Sequence, residues 1–299
     1  MDVGIFTVSA NHPRFRQTLE MFAKGVFAAG DQVFISDSDR YESCDIAVFF
    51  GSWKDRDAPH HNVKRDIVAR APRFIVLETP LIGRSRVEEV MSDDWYRIGL
   101  DGFLQDTGQF HDGSDHSADR WEKLSQDLAI NVKPPVNNPE GPITIALQLP
   151  GDASLRGASI EAWCVESCKT IRSLTQRPIL IRLPQLERAW HPVLREAAAL
   201  PDIELQMGSF DNLIPTLESS YCTVTYTSGL AIDSLLSGCP TIAMNPGNFA
   251  FPIASNSLSD INRINCPVRE QWLWNLAHCQ WHISEIQEGL PWRQLRELL

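Results

Sequence analysis

Short runs of aliphatic and β-branched residues recur along this chain, and each is followed by a segment whose apolar residues fall at helical spacing. This alternation is the strongest constraint on the fold, because parallel strands need crossover connections and helices supply them. Residues 3–8 read as a first strand, and residues 15–29 as a helix stopped by Gly30. Residues 32–36 and 46–50 read as strands, 62–71 as a helix, and 74–77 as a strand running into Glu78. The stretch 133–142 holds four prolines and reads as a linker, after which the pattern restarts. Further strands are expected at 143–147, 178–183, 203–207, 222–226 and 241–244, with helices at 160–174, 193–200, 213–219 and 231–237. Residues 100–119, rich in Gly, Asp, Ser and His, read as a long loop, and residues 269–299, rich in Trp, as helical.

Two successive sets of βα units in 299 residues predict an α/β protein of two Rossmann-like domains. The first is expected over 1–135 and the second over 142–270, followed by a helical tail over 271–299. Ligands of such sheets bind beyond the carboxyl ends of the strands, so two sheets facing each other across a cleft would enclose one.

The formal net charge of −11 argues against a protein that grips nucleic acid over its whole surface. A local basic stretch remains: Lys54, Arg56, Lys64, Arg65, Arg70 and Arg73, with His60 and His61 among them, then Arg84, Arg86 and Arg97. Its plain reading is a solvated helix face. No apolar run is long enough to span a bilayer, and residues 1–10 lack the pattern of a signal peptide, so a cytoplasmic location is expected. Seven scattered cysteines form no CxxC pair; Cys164 and Cys168 share a helix face and read as reduced core thiols. The Asp106-to-Asp119 loop could take a metal, but its spacing matches no ligand pattern, and no metal ligand is assigned.

The segment from Cys222 to Met244 carries the most information. A strand ends at Tyr226, and Thr227, Ser228 and Gly229 make a turn into a helix that Gly238 terminates before Pro240. Small residues there let a phosphate approach the backbone N–H groups, and Thr227 and Ser228 add hydroxyl donors. The alternative is a capped helix with no ligand.

This segment, with its exit Ser237-Gly238-Cys239-Pro240, resembles the donor-binding turn of GT-B-fold glycosyltransferases and of related sugar-nucleotide 2-epimerases and capsule-polysaccharide enzymes. Residues 179–184 (Ile-Leu-Ile-Arg-Leu-Pro) are similar to an Ile-Arg-Pro-His-Pro motif of that group, although its His is absent here. Residues 95–103, 272–281 and 285–292 look like parts of glycosyltransferase-like proteins of phages and marine viruses. The resemblance implies a GT-B-like fold, a last helix that packs back on the N-terminal domain, and a hexosyl- or pentosyltransferase.

It further implies a nucleotide-sugar donor, expected as UDP-linked, as substrate, with no cofactor. The implied donor site comprises Gln148, Gly151, Ser154, Arg156, Arg182, Tyr226, Thr227, Ser228, Gly229 and Asn245. An inverting transfer needs a base for the acceptor hydroxyl; Glu78 is the first choice and Asp101 the second, and either alternatively reads as a turn carboxylate. Lys54, Arg56, Arg84 and Arg97 would meet the acceptor, for which the viral likeness nominates a 5-hydroxymethyl pyrimidine in phage DNA, against a glycan or small molecule. An epimerase and a non-catalytic nucleotide- or protein-binding scaffold are the rival readings.

Overall fold

The computed structural model describes residues 1–83, 94–184 and 193–299. The chain divides into two compact units, Met1–Leu128 together with Gln271–Leu299, and Ala129–Glu270.

Unit 1 opens with β1 (Asp2–Phe6), α1 (Pro13–Ala28), β2 (Gln32–Ser36), β3 (Ile46–Phe50), α2 (Pro59–Arg70) and β4 (Arg73–Glu78). It continues with β5 (Trp95–Leu100) and α3 (Asp119–Asp127). Neither was expected from the apolar pattern: β5 has Arg97 and Gly99 inside it, and α3 lies in polar sequence. β1 to β4 are mutually parallel, and β5 runs antiparallel to β4. β3 is buried along its whole length, as expected for a parallel strand covered on both faces.

Unit 2 follows with β6 (Ile143–Ala146), α4 (Ile160–Leu174), β7 (Ile179–Leu183), α5 (Val193–Ala198) and β8 (Ile203–Met207). It is completed by α6 (Phe210–Ser219), β9 (Cys222–Thr225), α7 (Leu230–Leu236) and β10 (Thr241–Ala243). Its five strands are all parallel, in the order β10-β9-β6-β7-β8. Numbered within the unit this is the doubly wound order 3-2-1-4-5, whose direction reverses between β6 and β9. The proline-rich stretch lies along α7: the Lys133 and Val136 amides donate to the Leu236 and Gly238 carbonyls at 2.8 Å. Gly238 has φ +78° and packs against the Pro134 carbonyl, so a side chain there meets both strain and backbone.

The chain then returns to unit 1 as α8 (Glu270–Ala277), β11 (Gln280–His282), α9 (Ile283–Gln287) and α10 (Leu290–Arg296). The expectation of a wholly helical tail is corrected here. β11 pairs antiparallel with β5 and completes a six-stranded sheet, β11-β5-β4-β3-β1-β2. Trp274 and Trp281, seven residues apart, therefore lie on a helix and a strand rather than on one helix face. The tail is fastened by packing. Gly25 on α1 and Gly289 before α10 approach backbone to backbone, and Trp292 is fully buried with its indole N–H donating to Asp31 at 2.9 Å.

All seven cysteines are free thiols, and six of them are buried. No helix among the described residues is long and apolar enough to cross a membrane.

Candidate functional site

In unit 2 the loops after β6 and β9 leave the same edge of the sheet from paired residues, Ala146 and Thr225. They meet there. The Thr227 amide and hydroxyl both donate to Gln148 Oε1 at 3.0 Å, and the same hydroxyl lies 3.1 Å from Ser154 Oγ. Gln148 Nε2 donates to Ser154 Oγ at 2.7 Å, and the Ser154 amide donates to Asp152 Oδ1 at 2.9 Å. Three residues expected at a donor site, on two loops, are thus one hydrogen-bonded cluster at the reversal point of the sheet.

The turn itself is short and open on one side. A Cβ added to Gly229 would meet nothing within 4 Å. The Leu230 amide donates to Ser228 Oγ at 3.3 Å. The Ser228 and Gly229 amides donate to no group among the described residues. Because α7 has only seven residues, its dipole is small, and these donors matter more than the helix field.

Asn248 holds the turn from below. It is 1% exposed, and its Nδ2 donates to Thr225 Oγ1 at 2.9 Å, the Tyr226 carbonyl at 3.2 Å and the Ser228 carbonyl at 3.3 Å. Asn248 was not among the expected donor residues; Asn245, which was, accepts the Gly247 amide at 2.9 Å and shapes the preceding loop. The missed signal was an asparagine beside the apolar pair Phe249 and Ala250, since a buried amide side chain needs several partners.

Other expected donor residues lie further out. Gly151 is exposed with φ +70°, and Arg156 is exposed with φ 52° at the end of a short turn. Tyr226 packs its ring against Trp163 at 5.6 Å. Arg182 is 7% exposed and binds within the fold: its guanidinium donates to Asn212 Oδ1, to the Ser209 carbonyl at 2.7 Å and to Gln206 Oε1 at 3.3 Å. These contacts fix the start of α6. Burial lowers the proton affinity of Arg182, and Asp233 on α7 opposes that.

In unit 1, Glu78 ends β4 and ties two turns together. Its carboxylate accepts the Ser52 amide at 3.1 Å, the Thr79 amide at 2.8 Å and the Thr79 hydroxyl at 3.2 Å. Asp101 does not join it. The Asp101 carboxylate accepts from Arg73 Nε and from the Phe74 amide at 3.0 Å, at the opposite end of β4. The two candidate bases are thus separated by the length of a six-residue strand, on the order of 15 Å at ~3.3 Å per residue.

The residues shown near Glu78 are Lys64 and, across the strand pair, Arg97. Lys64 is not on a solvated helix face, as its neighbours had implied; it is 4% exposed, with Nζ 3.3 Å from the Ser52 carbonyl. Burial pushes its ammonium down to about 8, and the Glu78 charge opposes that shift. His61 is pushed down to about 4 by burial and by His60, Lys64, Lys54 and Arg56, and its buried Nδ1 has no partner among the described residues. Lys64 falls between Val63 and Ile67 on the buried stripe of α2, and that spacing could have revealed it. Lys54 and Arg56 are exposed, whereas Arg97 is 8% exposed on β5, in register with Glu78. Arg84 and Arg86 lie outside the described residues.

No protein-family model matches the chain, and no curated protein matches it. Its fold is shared with solved structures, among them two transferases. The beta Kdo 2,4 transferase of Thermosulfurimonas dismutans KpsC is 14% identical with a TM-score of 0.55, over 97% of this chain and 98% of that one. The beta Kdo 2,7 transferase of the same protein is 12% identical with a TM-score of 0.53, over 98% of this chain and 99% of that one. The expected GT-B-like α/β fold is therefore what the chain adopts, with its terminal helices packed in the N-terminal unit.

Proposed function

We propose that this protein is a glycosyltransferase that moves a sugar from a nucleotide-activated donor to a hydroxyl of a glycan. The observation that carries this reading is the meeting of the β6 and β9 loops around Thr227, with open space at Gly229, in a fold shared with two Kdo transferases. The donor phosphate sits against the Ser228 and Gly229 amides and the Ser228 hydroxyl. In the reaction the bond from anomeric carbon to donor phosphate oxygen breaks, and the acceptor oxygen forms a new bond to that carbon. Negative charge grows on the leaving phosphate, and donors already fixed in place stabilise it as it grows. The acceptor proton passes to Glu78, with Lys54, Arg56 and Arg97 on the acceptor side.

A panel of UDP-, GDP- and CMP-sugars, with nucleotide-activated Kdo added on account of the two neighbours, tests this. Glycans, hydroxymethylated DNA and plain DNA serve as acceptors, read by mass spectrometry. A mass increase on a glycan is expected; an increase on hydroxymethylated DNA alone would move the acceptor to a modified base. Unchanged turnover in the double variant Glu78→Gln, Asp101→Asn would overturn the assignment of the base. No increase anywhere would favour a non-catalytic nucleotide-binding scaffold, a reading supported by the engagement of Arg182 with Gln206, Ser209 and Asn212.

A further inference from the structure

The loop between β5 and α3 gathers three histidine rings in a part of unit 1 that the glycosyl-transfer reading does not use. His111 and His116 meet edge to face with centroids 4.9 Å apart, and His278 at the end of α8 stacks on His116 at 3.7 Å and 12°. Asp112 adds a carboxylate: its Oδ1 lies 4.0 Å from His116 Nε2. That nitrogen is buried and has no hydrogen-bond partner among the described residues.

We infer that His111, Asp112 and His116 form a binding site for one divalent transition-metal ion of the zinc class. One ligand atom from each residue lies within 4.8 Å of the others. Ligands about 2.0–2.2 Å from a tetrahedral zinc ion stand roughly 3.5 Å apart, so a contraction on the order of 1 Å closes the set. Two imidazoles and one carboxylate leave a fourth position for water and suit zinc better than magnesium or calcium. No ligands could be assigned in this loop from residues alone, because 111, 112 and 116 match no familiar ligand spacing and only the bend of the loop brings them together.

The loop is held for this purpose from outside. The His116 amide donates to Asn275 Oδ1 at 3.1 Å, and its carbonyl accepts from Gln271 Nε2 at 3.0 Å. Gln294 on α10 donates to the Phe110 carbonyl at 2.6 Å and takes His278 Nδ1 at 3.2 Å. Asp112 Oδ1 accepts the Ser114 amide at 2.9 Å and hydroxyl at 2.6 Å, which orient the carboxylate. One contact opposes binding: the Gly113 amide donates to His111 Nδ1 at 3.1 Å. That bond keeps the proton on Nε2, so metal entry expels either this proton or the Gly113 N–H.

The test is equilibrium dialysis of the full chain against ZnCl2, with metal content read by mass spectrometry and the Gly113 amide followed by NMR. One equivalent of zinc, a shifted Gly113 resonance and no uptake from MgCl2 are expected. Asp112 is exposed, so Asp112→Asn leaves the fold intact and should weaken zinc at least tenfold; His116→Gln should abolish binding. Binding of less than one equivalent, or equal zinc content in wild type and both variants, would overturn the site. The outcome is independent of any transferase assay.

Discussion

At the ends of β6 and β9, the Gln148, Ser154 and Thr227 side chains bond one another, whereas at the ends of β3 and β4, Lys64 sits desolvated near Glu78, with His61 on the same helix among basic neighbours. Both sheets have a parallel core, but the ends of their strands are prepared differently. In unit 2 the side chains fasten two loops so that backbone donors stay in place, which suits a ligand held by fixed dipoles. In unit 1 titratable groups are withdrawn from water, which suits proton transfer. Strand order separates them too. Unit 1 places β1 between β2 and β3 and has its reversal there, while unit 2 reverses between β6 and β9.

The largest effect is expected where this contrast bears on chemistry. Glu78→Gln should lower kcat for whichever donor the panel identifies by about 10²–10⁴, the range for removing a general base, with little change in donor Kd. An equal loss in Kd would place Glu78 on the donor side and erase the distinction. Next is the fastening of unit 1. Trp292→Ala removes a fully buried ring and its bond to Asp31, and should cost about 3–5 kcal/mol in denaturant unfolding. Amide exchange should report that loss in β1 to β5 and spare β6 to β10.

Lys64 supplies the third test. A lysine whose ammonium is lowered in the fold burdens stability below its folded value of about 8, and that burden lifts as pH rises toward its unfolded value near 10.5. Lys64→Met should therefore raise the melting temperature at pH 7, by up to roughly 3 kcal/mol of stability, with the gain shrinking to nothing by about pH 10.5. A gain that does not vary with pH would mean the ammonium is not under strain. The smallest effect is in unit 2. Asn248→Ala leaves three carbonyl or hydroxyl acceptors without their donor, at about 1–3 kcal/mol, and should weaken nucleotide binding seen by calorimetry.

Much of the fold can be read from residues alone, because parallel strands covered on both faces appear as unbroken apolar runs; Ile46–Phe50 and Ile179–Leu183 are the plainest cases. β5 and β11 escaped for the converse reason. Arg97 and Gly99 interrupt the first, and the second is three residues inside a stretch of helical spacing. The clustering of Gln148, Ser154 and Thr227 in unit 2 was legible because small polar residues at a strand end are local, and each lies on a loop that a strand fixes. The arrangement around Glu78 in unit 1 was not. Separating Glu78 from Asp101 requires the register of β4 against β5, and the state of Lys64 depends on which side of α2 is covered.

The chain leaves unit 1 at Leu128 and re-enters it at Gln271, so β11 and Trp292 emerge from the ribosome only after all of unit 2. Until then β5 is an uncovered sheet edge, and the space that Trp292 fills is open to water. Unit 2, by contrast, is uninterrupted in sequence and can form as it is made. The half synthesised first is thus completed last, and during translation it is the half that exposes an unpaired strand edge.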